Sequence, residues 1–441
     1  MADVRPFRAL RYDPAVAGDP SRLIAPPYDI IDAEEQRRLY AASPYNVVRL
    51  DYGEERPDDV PGRDRYARAA ANLRRWRQEG ILVWDERPRF YVYEQEFTYE
   101  GRRRRRALLA AVRLEPWERG VILPHERTFP KAKEDRLRLM RSVRADLSPV
   151  FGLYRDRDAL EPLVEPSGPP LLEAKTPDGQ RHLLFALDHS REHDIVRAFA
   201  GRSIYIADGH HRYETALAYR EEMRLAAASW SGDEPENFVL MALVAADDPG
   251  LVALPTHRLL RPPVTPHDLL PRLSRFFDIE DATPRSWDGT ALLRLVARVA
   301  AAGRETVAFG ALGIEEQRYH LLRLASPEAV DSVMPPEKPA VWKRLDVAVL
   351  QYAILKACLG IDEAAVAGGD VVSYTEDAER ARLAVEQGAA RLAFLVNPTR
   401  VEQVLAVADA GERMPQKSTY FFPKLATGLA IYPFDERAVM S

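Results

Sequence analysis

Five consecutive residues carry the clearest chemistry in this sequence: Asp208-Gly209-His210-His211-Arg212. They follow an apolar run at 203–207 and precede a helical pattern, so we expect a polar loop between a strand and a helix. Gly209 allows a backbone conformation that other residues avoid. The free N–H groups at the helix start, with the two histidines and Arg212, would bind an anion such as phosphate. We predict that Asp208, His211 and Arg212 line a deep polar pocket; capping residues on the surface are the alternative.

A second segment combines acidic, basic and hydroxyl groups between two prolines. It reads Pro124-His125-Glu126-Arg127-Thr128-Phe129-Pro130-Lys131-Ala132-Lys133. Glu126 is a candidate general base, because a carboxylate can accept the proton of a reacting hydroxyl. Lys131 or Lys133 is a candidate clamp for a phosphate group. A charged loop exposed to solvent explains this segment about as well, so both interpretations stay open.

A third segment near the C-terminus offers a lysine followed by two hydroxyls, in Pro415-Gln416-Lys417-Ser418-Thr419. One compact charge with two short donors suits a phosphate group. An edge strand with polar ends is the alternative. Lysine is scarce in this chain, since only 8 of the 62 basic residues are lysine. Four of these eight lie in the second segment and in the stretch 414–424 that contains the third: Lys131, Lys133, Lys417 and Lys424.

Hydrophobic periodicity predicts the elements that position these segments. Helices are expected at 34–40, 66–78, 347–359 and 400–410, and strands at 90–99, 107–114, 149–154, 183–187, 203–207, 238–246, 306–312, 317–324 and 391–397. The run Arg102–Arg106 falls between the strands of a predicted hairpin, where it favours a solvated turn and strand start over a phosphate or RNA patch. The mixture of elements predicts an α+β fold with mixed sheets.

Composition excludes several classes of protein. The chain has 441 residues, enough for two or three domains, and a formal net charge of 62 − 67 = −5. An acidic balance argues against a dedicated nucleic-acid binder, and no apolar run is long enough to span a bilayer. The single cysteine, Cys358, fits a reducing compartment. We therefore expect a cytoplasmic enzyme that binds small molecules, with neither a P-loop nor a dinucleotide-binding fingerprint.

The three segments together resemble the free serine kinase branch of the superfamily of ParB-like partitioning proteins and sulfiredoxins. The pentapeptide at 208–212 is similar to the phosphate loop of the archaeal kinase. Pro124-His125-Glu126 resembles its Pro-His-Glu segment, and Pro415-Gln416-Lys417-Ser418-Thr419 resembles its late Pro-Lys-Thr-Thr segment, in the same order. Three motifs resemble the bacterial domain-of-unknown-function 1015 family over essentially the whole chain: Pro26-Pro27-Tyr28-Asp29, Leu254-Pro255-Thr256-His257-Arg258 and Lys417-Ser418-Thr419-Tyr420-Phe421-Phe422-Pro423-Lys424.

This resemblance implies a ParB/sulfiredoxin-like nucleotide-binding core at 106–262, flanked by α/β regions at 1–105 and 263–441, of which the last contributes to the active site. It implies a phosphotransferase of serine biosynthesis that moves a phosphoryl group between serine or phosphoserine and ADP or ATP with Mg²⁺. It leaves the oligomeric state and the direction of reaction open. Glu126, Asp208 and His211 would be catalytic, and Asp208 would hold Mg²⁺. The remaining residues would bind nucleotide or phosphate: Gly209, His210, Arg212, Lys131, Lys417, Ser418 and Thr419.

Two other activities of the superfamily were weighed against this interpretation. A sulfiredoxin needs a cysteine in the loop, but His210 stands there and Cys358 lies far along the chain. A ParB-like regulatory protein that binds CTP without kinase activity is the alternative function. Such a protein is expected to carry a helix-turn-helix domain and a basic surface, and the sequence indicates neither convincingly.

Overall fold

The computed structural model describes residues 1–126, 128, 130–155, 157–261, 267–284 and 290–435. Contacts within the chain divide it into two units. Unit 1 contains Met1–Pro124, Thr128–Val252 and the segment that begins at Pro423; unit 2 contains His125–Arg127 and Ala253–Phe422. Each unit combines helices with a sheet, so the predicted α+β class is confirmed.

The described residues of unit 1 contain a mixed sheet of nine strands. In chain order they are β1 Val4–Arg5, β2 Tyr91–Thr98, β3 Arg102–Arg113, β4 Ile122–Leu123, β5 Val150–Tyr154, β6 Leu172–Lys175, β7 Arg181–Ala186, β8 Ile204–Asp208 and β9 Phe238–Ala245. The order across the sheet is β4-β8-β5-β9-β3-β2-β7-β6, with β1 paired to β3. β8 is the apolar run predicted before the polar loop, and it is parallel to β4 and antiparallel to β5.

The described part of unit 1 also contains five longer helices. They are α1 Ala33–Ala42, α2 Arg65–Gln78, α3 Pro130–Val143, α4 Glu192–Phe199 and α5 His210–Ala226. Asp32 and Asp64 each accept two backbone N–H groups at the start of α1 and α2, as N-cap residues do. Trp76 of α2 and Leu139 of α3 belong to one buried cluster, and α3 also packs against α5. This packing holds the start of α5 in place.

The arginine run at Arg102–Arg106 is strand rather than turn, which corrects the expectation from the sequence. These residues pair with 94–98 of β2, and the turn lies at 99–101. Opposite charges across the two strands explain the extension, because Arg106 Nε donates to Glu94 Oε1 at 2.8 Å. Arg105 points to the opposite face and is buried, with 1% of its surface exposed. A run of five like charges concealed this alternation.

The described residues of unit 2 contain an antiparallel sheet of six strands. They are β10 His257–Leu260, β11 Phe277–Asp281, β12 Ala308–Leu312, β13 Tyr319–Leu324, β14 Val372–Thr375 and β15 Leu392–Val396, in the order β11-β13-β12-β15-β10-β14. The longer helices are α6 Ala291–Ala302, α7 Ala378–Glu386 and α8 Val401–Asp409. Leu295 of α6 and Ala381 of α7 pack with Leu395 of β15 in one core.

The helix predicted at 347–359 has an unusual geometry. It begins as an α-helix at Asp346–Val349 and continues as a π-helix at Leu350–Cys358. π-helical turns are rare and frequently occur at functional sites. The periodicity of the sequence cannot separate the two forms over so few turns, and Leu350–Leu355 are all buried.

Two further observations concern the organisation of the chain. The three regions predicted from the sequence stay a prediction, and they differ from the two units because β3 crosses the expected boundary at 105/106. Among the described residues, no helix has both the length and the apolar character needed to cross a membrane.

Candidate active site

The turn between β8 and α5 has the geometry expected of an anion-binding loop. A bulge between Ile206 and Asp208 ends the regular pairing with β5. Gly209 then adopts a left-handed φ of 91°, and α5 begins at His210. A Cβ at position 209 would lie 3.0 Å from the guanidinium carbon of Arg212, so a larger residue would have to shift this side chain as well as adopt a left-handed backbone angle. The first N–H groups of a helix of 17 residues are thereby directed past the loop.

Asp208, at the end of β8, lies between two cations. Lys424 Nζ donates to Asp208 Oδ2 at 2.6 Å, and Arg212 Nη2 lies 3.7 Å from Asp208 Oδ1. Burial raises the pKa of Asp208, but the charges of Lys424 and Arg212 lower it by more, so that the pKa lies well below its usual range. Asp208 is therefore a stable carboxylate. His210, beside it, is buried, and His211 is partly exposed.

Lys424 is held in position by two strands of the sheet. Gln95 Nε2 of β2 donates to the Lys424 carbonyl at 3.0 Å. Arg105 of β3 donates to the neighbouring Pro423 carbonyl and, at 3.2 Å, to Gln95 Oε1. The Arg105 guanidinium also lies 4.9 Å from the ring centre of Phe151. The buried arginine of β3 thus fixes the backbone from which Lys424 extends to Asp208.

Arg212 lines a small polar cavity inside unit 1. The cavity measures about 30 Å³ and is also lined by Asp51, Arg136, Asp146, Ser148 and Thr215. Asp51 Oδ2 and Thr215 Oγ1 are buried without a hydrogen-bond partner among the described residues. Burial raises the pKa of Asp146 to about 7, although the Leu240 amide and Arg212 oppose this rise. The space and the two oxygens suit one buried water molecule.

The opening motif at 26–29 lies near the same arginines. Arg136 Nη1 donates to Asp51 Oδ1 at 3.1 Å, and its guanidinium carbon lies 3.9 Å from the ring centre of Tyr28. Burial raises the pKa of Tyr28 to about 12, against the opposing charge of Arg136. The two prolines before Tyr28 fix the backbone that presents this ring.

The second segment is divided between the two units. In unit 1, Thr128 Oγ1 and Lys133 Nζ both donate to Glu214 Oε2 of α5, at 2.5 and 3.0 Å. Lys133, one of the two lysines proposed as a phosphate clamp, is therefore paired with a carboxylate. The side chain of Lys131 lies outside the described residues.

In unit 2, the proposed base meets the third segment. The Lys417 N–H donates to Glu126 Oε1 at 3.2 Å, and Glu126 forms a parallel bridge with Met414. His125 Nε2 lies 3.0 Å from Thr419 Oγ1. The resemblance to the kinase predicted that the second and third segments act together. They are in contact, although nearly 300 residues of sequence separate them. Lys417 has a left-handed φ of 55°, and its side chain is exposed.

The hydroxyls of the third segment already have partners. Ser418 is buried, and its Oγ donates to the Pro415 carbonyl. Thr399 Oγ1 donates to the Ser418 carbonyl at 2.6 Å. The prediction that Ser418 and Thr419 bind phosphate stays a prediction, and these bonds would have to rearrange for both hydroxyls to act as donors.

Arg258, from the Leu-Pro-Thr-His-Arg motif, is buried and hydrogen-bonds to the backbone of the third segment. Its Nη2 donates to the Lys417 carbonyl at 3.2 Å, and its Nη1 donates to the Thr256 carbonyl. Its guanidinium carbon lies 5.2 Å from the ring centre of Tyr374. Burial lowers the pKa of Arg258, against the charges of Tyr374 and Glu126. Within the described ranges, no carboxylate forms an ion pair with Arg258.

Reasoning from the sequence missed three residues of these sites: Lys424, Glu214 and Arg258. The scarcity of lysine pointed to Lys424, and the Leu-Pro-Thr-His-Arg motif contained Arg258, but neither signal named a partner. Glu214 gave no signal, because an acid in the first turn of a helix is ordinary. The prediction that Glu126, Asp208 and Lys417 line one cleft stays a prediction.

No group of three or more His, Cys, Asp or Glu side chains suited to a metal ion occurs in the part of the chain that the structure describes. Asp208 stays the predicted Mg²⁺ ligand, but its Oδ2 is bonded to Lys424. A divalent ion at Asp208 would therefore have to displace this lysine and take its other ligands from a substrate.

Comparison with solved structures gives distant similarities. A free serine kinase in complex with AMP is 15% identical, with a TM-score of 0.33, over 73% of this chain and 92% of that chain. A conserved hypothetical protein from Pyrococcus furiosus is 14% identical, with a TM-score of 0.33, over 74% and 94%. SbnI from Staphylococcus aureus, with a C-terminal truncation, is 12% identical, with a TM-score of 0.33, over 74% and 87%.

The sequence comparisons place this chain in a family. Among curated proteins, none matches it significantly. The profile of the family described as "Protein of unknown function (DUF1015)" matches residues 4–348, so the chain belongs to the DUF1015 family.

Proposed function

We propose that this protein is a phosphotransferase that moves a phosphoryl group between free serine or phosphoserine and an adenine nucleotide, ATP or ADP. The observation that carries the proposal is the turn from Asp208 to Arg212. It joins a left-handed glycine, the free N–H groups of a long helix and a guanidinium at one point of the chain. Phosphoryl transfer asks the protein mainly for positioning and neutralisation of charge, and this turn offers both.

Unit 1 would bind the nucleotide phosphates. The backbone N–H groups from Gly209 to Arg212 would donate to phosphate oxygens, and Arg212 would add charge. Lys424 is within 2.6 Å of Asp208 and could move from this carboxylate to a phosphate oxygen as the nucleotide binds. His211, partly exposed in the first turn of α5, is the other proposed catalytic group.

Unit 2 would act on the serine side. In the kinase direction the serine hydroxyl loses its proton to Glu126, its oxygen forms a bond to the terminal phosphorus of ATP, and ADP leaves. In the reverse direction Glu126 returns the proton to the serine oxygen while the phosphoryl group passes to ADP. Lys417, exposed beside Glu126, would neutralise the phosphate that serine carries as product or substrate.

Mg²⁺ is implied by the resemblance and would enter with the nucleotide. Such ions are held by one or two carboxylates together with substrate phosphates, and Asp208 is the proposed carboxylate. When bound, the ion supplies positive charge to the phosphate oxygens. Lys424 supplies one positive charge at Asp208.

The decisive experiment is to incubate purified protein with phosphoserine, ADP and Mg²⁺, and to measure ATP and serine by chromatography. The proposal predicts equal amounts of both products, and the reverse reaction from serine and ATP. Asp208→Asn should weaken the dependence of the rate on Mg²⁺ concentration. Calorimetric titration with ATP, ADP, CTP and serine tests the alternative function. CTP binding without any phosphoryl transfer would support a regulatory nucleotide-binding protein instead.

A further inference from the structure

Unit 2 contains a cavity that the proposed roles of Glu126 and Lys417 do not use. It measures about 160 Å³, below the ~300–1,000 Å³ of pockets for larger ligands such as drug-sized molecules. Its wall is mostly apolar, with Trp342, Leu350 and Met414 among its residues. The residues with polar side chains are Arg258, Gln351, Glu363, Tyr374, Arg413 and Gln416. The size suits a ligand no larger than a free amino acid.

Two buried donors line this cavity. Arg258 is 4% exposed; its guanidinium donates to backbone carbonyls and lies against the ring of Tyr374. The charge of Glu126 acts on Arg258, but no carboxylate among the described residues forms an ion pair with it. Gln351, on the π-helix, is 7% exposed, and its Nε2 has no hydrogen-bond partner there. Because a buried charge is costly without a counter-charge, the cavity is suited to an anionic ligand that accepts hydrogen bonds.

We propose that this cavity is the subsite for the α-carboxylate of the amino-acid substrate, with Arg258 and the Gln351 amide as its donors. The inference rests on the proposed function and specifies how serine is recognised. A carboxylate carries one charge and two acceptor oxygens, which the Arg258 guanidinium and the Gln351 amide can match.

The rest of the wall suits an amino acid. Glu363 is the acidic residue among those that line the cavity; it is exposed and accepts a hydrogen bond from the Tyr352 hydroxyl. A carboxylate at the mouth of the cavity would attract the α-ammonium group. Met414 lines the cavity and forms a β-bridge with Glu126, so the proposed base is adjacent to the wall, where it can receive the proton of the serine hydroxyl.

The test compares two ligands on the full chain by calorimetry, without nucleotide. L-Serinamide keeps the ammonium and hydroxyl of L-serine but lacks the negative charge. We expect wild-type protein to bind L-serine at least about 10-fold more tightly than L-serinamide, since a hydrogen bond to a charged group contributes roughly 1.5–3 kcal/mol. Equal affinities, or no binding of L-serine, would overturn the subsite.

Gln351→Leu is the informative variant, because the Nε2 donor that it removes has no hydrogen-bond partner among the described residues, so folding should be retained. It should lower serine affinity about 10-fold, narrow the preference for serine over serinamide and leave the melting temperature unchanged or raised. Lys356→Gln, exposed on the same π-helix, is the matched control and should change neither affinity. An equal loss for both ligands would indicate a purely structural role for Gln351 and overturn its assignment.

Failure of the subsite and failure of the proposed function give different results. Unchanged KM for serine in Gln351→Leu, with normal phosphoryl transfer, would overturn the subsite alone. Serine binding that depends on the carboxylate, in a protein that transfers no phosphoryl group in either direction, would support the subsite and overturn the proposed activity.

Discussion

Lys424 Nζ lies 2.6 Å from Asp208 Oδ2, across 216 positions of sequence. The side chains are 12% and 19% exposed, so the pair is largely removed from water. Asp208 is the last residue of β8, and α5 begins two residues later at His210. The backbone at Lys424 is held by hydrogen bonds from Gln95 and Arg105. The carboxylate of the loop thus depends on a lysine from the far end of the chain.

Lys424→Met should destabilise unit 1 by roughly 2–3 kcal/mol, because it leaves a largely buried carboxylate without its partner. The pKa of Asp208 should then rise, so that unfolding on acidification begins at a higher pH than in wild type. Urea denaturation at pH 7 and pH 4 measures both effects. Lys175→Met removes an exposed lysine and is the control. The double variant Lys424→Met/Asp208→Asn should recover much of the stability that Lys424→Met loses. If the stability changes of the two single variants simply add in the double variant, the two residues are not coupled.

Gly209→Ala should weaken binding of ATP or ADP about 10-fold or more. The added Cβ would lie 3.0 Å from Arg212, and the left-handed φ of 91° costs alanine about 1–2 kcal/mol. Gly232→Ala is a matched control, since its φ is 94° and no heavy atom lies within 4 Å of the added Cβ. Both variants should lose similar stability. If Gly232→Ala lowers nucleotide affinity equally, the effect does not come from Arg212.

Asp146→Asn should stabilise the protein above pH 7. The pKa of Asp146 is raised by burial to about 7 from an ordinary value of 3.8, so between these values the folded state binds more protons than the unfolded state. The free energy of unfolding therefore falls as the pH rises through this window. Asparagine removes the titration and can still accept the Leu240 N–H, now 2.9 Å from Asp146 Oδ2.

We expect a gain of about 2–4 kcal/mol at pH 8 relative to wild type, measured by chemical denaturation from pH 4 to pH 8. For the control Asp278→Asn, at an exposed position, the free energy of unfolding should depend on pH in the same way as in wild type. If Asp146→Asn also has the same pH dependence of the free energy of unfolding as wild type, then Asp146 titrates in its ordinary range.

Glu126→Gln should lower kcat for phosphoryl transfer by about 10²–10⁴ while nucleotide affinity stays nearly constant, because a positioned general base acts only on the proton transfer. Glutamine retains an oxygen to accept the Lys417 N–H, so the local structure should persist. Glu402→Gln, an exposed acid in unit 2, is the control. Turnover within a few-fold of wild type in both directions would remove Glu126 from the mechanism.

Local pattern was sufficient for most of the fold. The apolar run before Asp208 predicted β8 to within one residue at each end, and the helical pattern after it predicted that a helix follows, since period and turn signals act over short stretches. The helix begins earlier than expected, because His210, His211 and Arg212 form its first turn. The arginine run was misjudged because five like charges hide which side chain is buried, and only the pairing with β2 reveals Arg105.

Long-range partners were less accessible. The contact of Glu126 with Lys417 was anticipated only through the resemblance, since no pattern links segments so far apart. The pairing of Lys424 with Asp208 depends on the return of the chain to unit 1, which no local signal encodes. The π-helix that presents Gln351 has the same apolar periodicity as an α-helix over nine residues.

The return of the chain to unit 1 at Pro423 also sets an order of folding during synthesis. Leu10 and Ile431 exchange backbone hydrogen bonds of 3.0 and 2.9 Å, and Lys424 completes the pair with Asp208. A ribosome releases the chain from its N-terminus, so all of unit 2 emerges before either contact can form. Most residues of unit 1 are synthesised before unit 2, but unit 1 is therefore the last to reach its final structure. Until Lys424 has been synthesised, the carboxylate of Asp208 cannot form its ion pair with this lysine.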